Sequence, residues 1–171
     1  SLPDKSQPAA QLAQKVTDGI KNTQQLLRKI IEGFMPVDVD PEGLRAALED
    51  LVARLNETHS VTISLTCRGA THLKDNATAT SLFRIAQESV NNALKHSQGD
   101  RIEITLSAIP NSVILEIQDN GVGIDATPRE AEGMGLGIMQ YRASVIGATL
   151  GVAARPEGGT VVRCEFRTAS G

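Results

Sequence analysis

In the segment Ile85–His96, IAQESVNNALKH, Glu88, Asn92 and His96 recur at intervals of four, and Lys95 follows Asn92 by three. On a helix this spacing projects a carboxylate, an amide and an ammonium from one face. The carboxylate and amide offer hard oxygen ligands of the kind magnesium tolerates, and magnesium completes its shell with waters and substrate phosphates. Lys95 would then meet phosphate charge. The alternative is a merely solvated helix side. It is weakened by the apolar character of the rest of the segment and by two glycine clusters further along the chain.

The first cluster is DNGVGI, Asp119–Ile124, and the second is GMGLG, Gly133–Gly137. Asp119 ends a run whose alternation directs Val113, Leu115 and Ile117 to a core. A carboxylate there can accept a hydrogen bond from an exocyclic amine, a charge-assisted bond contributing about 1.5–3 kcal/mol. Gly121 and Gly123 let the backbone approach a flat ring that a Cβ would strike. An ordinary Asp-Asn-Gly turn is the competing reading of these residues taken alone. GMGLG opens into a helix expected from Leu136, and exposed N–H groups at a helix start favour phosphate. The joint reading is adenine at one end and phosphate at the other, with Asp125–Glu132 as a short polar lid. Two other nucleotide motifs do not fit. GxxxxGK followed by Ser or Thr is missing, and polar TPREAE rather than a strand precedes GMGLGI, whose third glycine comes one residue early for a dinucleotide fingerprint.

These residues need a scaffold, and hydrophobic periodicity supplies one. A helix is expected from about Ala9 to Phe34, where Val16, Ile20, Thr23, Leu27, Ile30 and Phe34 form a heptad seam, suited to a partner helix or to packing on its own domain. MPVDVDPEG, Met35–Gly43, breaks it. Leu44, Leu48, Leu51, Val52 and Leu55 mark a second amphipathic helix, and VTISLTC alternates as a strand with Val61, Ile63, Leu65 and Cys67 on one face. A helix follows over roughly Ala77–Ser97, with an apolar stripe through Leu82, Ile85, Ala86, Val90, Ala93 and Leu94 and a stop near Gly99. RIEITLSA and SVILEIQD read as strands joined at Pro110 and Asn111. The helix from Leu136 carries Met139, Ala143 and Ile146 on one side, and TLGVAA and TVVRCEF flank the turn PEGG. The expected fold is α+β: a two-layer α/β sandwich with a mixed sheet of about five strands and three helices on one face, preceded by a long N-terminal helix.

Composition agrees with a folded soluble protein. The 171 residues are 40% hydrophobic and 22% charged, enough for one good core. A net charge of -3 and 2% aromatic residues lack the basic surface and stacking rings of nucleic-acid binders. Cys67 and Cys164 lack metal spacing and fall on apolar strand phases, so both read as reduced, buried thiols in keeping with a cytoplasmic setting. Neither a membrane span nor a signal peptide is expected.

Taken in order, FRIAQESVNNALKHS, DNGVGI, GMGLGIMQYRA and PEGGTVV resemble the ATP-binding domain of sensor histidine kinases, within the superfamily shared by gyrase, the heat-shock chaperone ATPase and the mismatch-repair ATPase. The resemblance runs over about Glu42–Phe166. QQLLRKIIEGFMP followed by GLRAALEDL resembles the second dimerisation helix and the start of the catalytic domain in the nitrate-sensor branch. It implies a Bergerat-type sandwich, with residues 1–40 as the dimerisation helix and 41–171 as the ATP-binding kinase domain. It also implies that Asn92 is the magnesium ligand, Lys95 and His96 are phosphate neighbours, and Asp119 holds the adenine amine, helped through water by Thr160. Gly121, Gly123, Gly133, Gly135 and Leu136 join the nucleotide contacts. Glu88 stands at the superfamily's acidic position and completes a catalytic set with Asn92 and Lys95. Two residues depart from the branch: Ile138 stands where it usually has Gly, and Tyr141 where it usually has Glu.

The activity implied is transfer of the ATP γ-phosphoryl group to a histidine outside this chain, for relay to a response regulator. The seam helix contains no histidine, while His59, His72 and His96 read as a junction, a loop and a pocket residue. A homodimer through the N-terminal helix and no membrane contact by this segment are expected. Two rival readings are an ATP-hydrolysing machine in which Glu88 activates water, and a non-catalytic dimerisation module. If the seam drives assembly, Ile20→Lys combined with Leu27→Lys should weaken dimerisation in sedimentation while sparing nucleotide binding.

Overall fold

The computed structural model describes residues 14–20, 23, 39–71, 73–124 and 133–168. The chain divides into two packed units, Ser1–Val37 and Asp38–Gly171. In the first, residues 14–20 (α1) and residue 23 are helical. Gln14 Nε2 donates to Asp18 Oδ1 at 3.0 Å and Thr23 Oγ1 to the Gly19 carbonyl at 2.9 Å, both across one helical turn. Val16 and Ile20 of the expected seam are exposed. Leu27, Ile30 and Phe34 of that seam, the lid Asp125–Glu132 and His72 lie outside the described residues.

The second unit runs α2 (Leu44–Thr58), β1 (Thr62–Arg68), α3 (Asn76–His96), β2 (Arg101–Ile109), β3 (Ser112–Asp119), α4 (Gly133–Val145), β4 (Thr149–Ala154) and β5 (Thr160–Arg167). One five-stranded sheet has the order β1-β2-β3-β5-β4. β1 and β2 are parallel because α3 connects them, and the remaining pairs are antiparallel. Between β2 and β3 the chain reverses through Pro110 and Asn111, the latter at φ 62°. Alternation now has its consequence: Ile102, Ile104, Leu106, Val113, Leu115, Ile117, Val162, Cys164 and Phe166 are all buried on one side of the sheet. α2 packs on β1, α3 on the central strands and α4 on β4, and α3 touches both other helices. Leu48, Leu82, Ile85, Val90 and Met139 bring their apolar stripes into that layer. This is the expected mixed sheet with three helices on one face.

α3 positions most of the candidate site. Asp75 caps its start, accepting from the Thr78 N–H at 2.8 Å, and that bond holds the carboxyl below the usual carboxylate range. Buried Ser89 Oγ lies 2.8 Å from the Ile85 carbonyl and 3.2 Å from Met139 Sδ, either of which can accept its hydroxyl hydrogen, and so links α3 to α4.

Three details differ from the sequence reading. α4 begins at Gly133, ahead of the expected Leu136, so the second glycine cluster lies inside the helix. Ile146 falls in the turn after it. Cys67 is only half-buried, because β1 is an edge strand, whereas Cys164 is fully covered and burial pushes its thiol up to about 11.

The exposed edge of β1 is partly closed by Asn56 of α2. Its Nδ2 donates to the Ile63 carbonyl at 2.8 Å and its Oδ1 accepts from the Ile63 N–H at 2.9 Å, imitating a neighbouring strand. Asn56→Ala leaves both groups of buried Ile63 without that partner and should cost about 1–3 kcal/mol. Urea unfolding should show a lower midpoint with an unchanged slope.

Candidate functional site

At the C-terminal end of α3 the chain turns sharply. The Ser97 N–H still donates to the Ala93 carbonyl at 2.9 Å, and Gln98 then adopts φ 56°. Ser97 Oγ accepts from the Gly99 N–H at 3.1 Å, and the Ser97 carbonyl accepts from the Val122 N–H at 2.7 Å. The turn after α3 is therefore stitched to the turn after β3. A Cβ on Gly121 would strike the Ser97 carbonyl, and one on Gly99 would meet Asn120 Oδ1 and the Gly121 backbone. Asn120 adds the lateral hold. Its Oδ1 accepts from the Asp100 N–H at 3.1 Å and the Arg101 N–H at 2.9 Å, while its Nδ2 donates to Asp100 Oδ1 at 2.7 Å.

Asp119 sits between these supports, 5% exposed at the end of β3. Its Oδ1 accepts from the Gly121 N–H at 2.9 Å, which leaves the second carboxylate oxygen for another donor. Its carbonyl accepts from Arg155 Nη1 at 2.8 Å. Gly159, at φ 91°, packs so closely on that carbonyl that a side chain would collide with it, and a Cβ on Gly123 would lie 3.1 Å from the Gly159 carbonyl. Thr160 opens β5 one residue before the pair Gln118↔Val161, beside Asp119. The structure thus brings together Asp119, Gly121, Gly123 and Thr160.

The other end forms where α4 meets α3. Gly135 is buried, and a Cβ there would run into Glu88 Oε1 and come within 3.2 Å of Asn92 Nδ2. Glu88 and Asn92 are each partly exposed. Lys95 and His96 are exposed in the last turn of α3, where cations also suit the helix dipole. Gly133 is the first residue of α4 and Leu136 is half-buried in it. Ile138 is half-buried and Tyr141 is 70% exposed, so the Tyr141 side chain plays little part in packing α4. Asn92 and Ser97 are separated along α3 by roughly 7 Å, and Glu88 and Ser97 by roughly 13 Å, at about 1.5 Å per residue. Both ends are measured along one rigid helix.

The donor set suits a magnesium nucleotide. Among the described residues no group of three or more His, Cys, Asp or Glu side chains could hold a metal alone. An ion at the Asn92 amide would take most of its shell from phosphates and water, as magnesium does. The glycines at 121, 123 and 135 are explained by protein contacts and not by an open cradle, since a Cβ there would meet Ser97, the Gly159 carbonyl, or Glu88 and Asn92. Sequence reasoning missed Arg155, Asn120 and Ser97. Asn120 sits inside DNG, but its long-range partners carry no local signal, and Arg155 reads only as a residue before a turn.

Fold and site together describe a two-layer sandwich fitted to a nucleotide. Residues 77–170 match the family described as histidine kinase-, DNA gyrase B-, and HSP90-like ATPase, and the chain belongs to that family. It is 31% identical to the nitrate/nitrite sensor protein NarQ of Escherichia coli over 173 aligned positions, covering 100% of this chain and 30% of NarQ. The chain spans less than half the length of the curated relatives it matches. Among solved structures, full-length ShkA in complex with AMPPNP superposes with a TM-score of 0.58 at 26% identity, over 79% of this chain and 32% of that one. The ATP binding domain of PrrB from Mycobacterium tuberculosis gives a TM-score of 0.59 at 23% identity, over 77% of this chain and 96% of that one.

Gly135→Ala separates the roles of this contact. The added methyl meets only the ends of two flexible side chains, and Ala is favoured over Gly in a helix by up to about 1 kcal/mol. The melting temperature should therefore hold or rise while magnesium-ATP affinity falls several-fold, because Glu88 and Asn92 are displaced; calorimetry beside a thermal melt checks both.

Proposed function

We propose that this chain is the ATP-binding catalytic portion of a two-component sensor histidine kinase of the nitrate-sensor-like branch, and that it transfers the γ-phosphoryl group of ATP to a histidine outside its own sequence. The observation that carries the reading is the joining of two ends on α3: Glu88 and Asn92 against Gly135, and the Asp119 strand end against Ser97. Family membership supports ATP as the nucleotide, and NarQ supports the sensor-kinase assignment. The complex of ShkA with AMPPNP supports it further.

In this reading Asp119 accepts a hydrogen bond from the adenine amine, assisted through water by Thr160, while Gly121 and Gly123 keep the turn beside the ring close to Ser97 and Gly159. Asn92 presents its amide oxygen to magnesium, which supplies charge neutralisation on the phosphates when bound. Lys95 and His96 meet the remaining phosphate charge, and Gly133, Gly135 and Leu136 offer the start of α4. Glu88 sits beside Asn92, placed to orient water or metal ligands at the phosphate end. Phosphoryl transfer asks for positioning and electrostatics more than covalent participation by the protein. His59 is turned to another task, its Nδ1 lying 2.9 Å from Thr58 Oγ1 and 3.2 Å from the Leu55 carbonyl at the end of α2.

Residues 1–40 would form the second dimerisation helix and 41–171 the kinase domain, with a homodimer and a response regulator receiver domain as partners, on the cytoplasmic side. No helix among the described residues is long and apolar enough to cross a membrane.

Calorimetric titration with ATP and with adenosine, with and without magnesium, tests the reading. Wild type should bind ATP more tightly with magnesium. Asn92→Ala should abolish that dependence and leave adenosine binding nearly intact, whereas equal weakening of both ligands would mean that Asn92 supports the fold and not the ion.

A further inference from the structure

We propose that Arg155 is a positioning residue for the base-reading carboxylate: by holding the main chain of Asp119, it makes selectivity for a 6-amino purine depend on the turn between β4 and β5. The proposal rests on the adenine reading of Asp119. The Asp119 carbonyl lies just beyond the final registered pair of the β3–β5 ladder, Gln118↔Val161. There the chain before β5 turns away through Gly158 and Gly159, both at positive φ, and the packing of Gly159 on the Asp119 carbonyl leaves no room for a side chain. Asp119 is 5% exposed, so a carbonyl deprived of both ladder and water would carry a desolvation cost. Arg155 Nη1 meets that need at 2.8 Å.

The arginine is itself anchored in the turn. Its N–H donates to the Gly159 carbonyl at 2.9 Å, and its carbonyl accepts from the Gly158 N–H at 3.1 Å. Its side chain is 21% exposed, whereas Glu157, the acid 3.8 Å from Nη2, is 71% exposed and hydrated, so that ion pair competes weakly for the guanidinium. Carbonyl and carboxylate belong to the same residue, and the carboxylate is oriented by the Gly121 N–H two residues on. Rotation of the Asp119–Asn120 peptide would therefore move the oriented carboxylate. Arg155 blocks that rotation from the side opposite Asn120, which binds Asp100 and Arg101.

A positioning role differs from general support of the fold in what it does to base selectivity. Purine riboside triphosphate has the ATP skeleton without the 6-amine, so it cannot use the Asp119 carboxylate. Calorimetry with magnesium should show wild type preferring ATP over this analogue by about ten-fold or more, the effect of one charge-assisted hydrogen bond. Arg155→Ala should weaken ATP about ten-fold, leave the analogue nearly unchanged and bring the ratio close to one; Arg155→Lys, which keeps a donor, should retain most of the preference. An unchanged ratio in Arg155→Ala, even with both ligands weakened, overturns the proposal. If Arg155→Ala does not fold, Arg155→Met keeps the stem without a donor and decides by the same ratio. A wild-type chain that binds neither triphosphate, or both equally, removes the adenine reading itself, and the role of Arg155 with it.

Discussion

The turn after β3 lies so close to the turn after α3 that a single Cβ at residue 121 would collide with the Ser97 carbonyl. The arrangement around Asp119 follows from that approach. The Val122 N–H reaches the Ser97 carbonyl, Asn120 reaches Asp100 and Arg101 where β2 starts, and Asp119 is held at the strand end by what lies on either side. A side chain at 121 would push the loop away from α3 and take the carboxylate with it. The glycine is required by contact, since its φ is not in the left-handed region, unlike that of Gly123 and Gly159.

α3 serves the site as a ruler because its two halves do different work. The N-terminal half is almost wholly buried, from Thr78 to Ala86, and fixes the helix against sheet and neighbours. The C-terminal half turns Glu88 and Asn92 to the side where α4 begins and delivers Ser97 to the β3 turn. A helix packed this firmly does not bend to suit a ligand, so the distance between the two ends is set before any nucleotide arrives. α4 accepts a cost for joining it. Glycine is about 1 kcal/mol worse than alanine inside a helix, and Gly135 is explained by its contact with Glu88 and Asn92. Gly137 has open space around its α-carbon, and nothing in the structure explains it.

Much of this was legible in the chain. Period-two alternation in SVILEIQD placed Val113, Leu115 and Ile117 in the core and left Asp119 at the strand end, because strand geometry sends alternate residues to opposite faces whatever the partner. The stripe from Leu82 to Ala93 likewise named the buried face of α3. The start of α4 was misplaced by three residues, since glycines oppose helix in isolation and only packing on α3 carries the helix back to Gly133. Cys67 has the alternation of a core residue, yet exposure depends on β1 being an edge, which strand order decides.

Local sequence determined which residues stand out as candidates for chemistry: the helical spacing of Glu88, Asn92 and Lys95, and an acid followed by glycines at Asp119. It also determined which faces would be apolar, because periodicity is a property of the chain itself. Only the tertiary structure decided which backbone groups meet. That Gly121 lies on Ser97, that Asn120 accepts from the Asp100 N–H, and that Arg155 serves a carbonyl thirty-six residues away are consequences of strand order and turn geometry. Such contacts join residues far apart in sequence through main-chain atoms, which every residue possesses, so no pattern of side chains announces them.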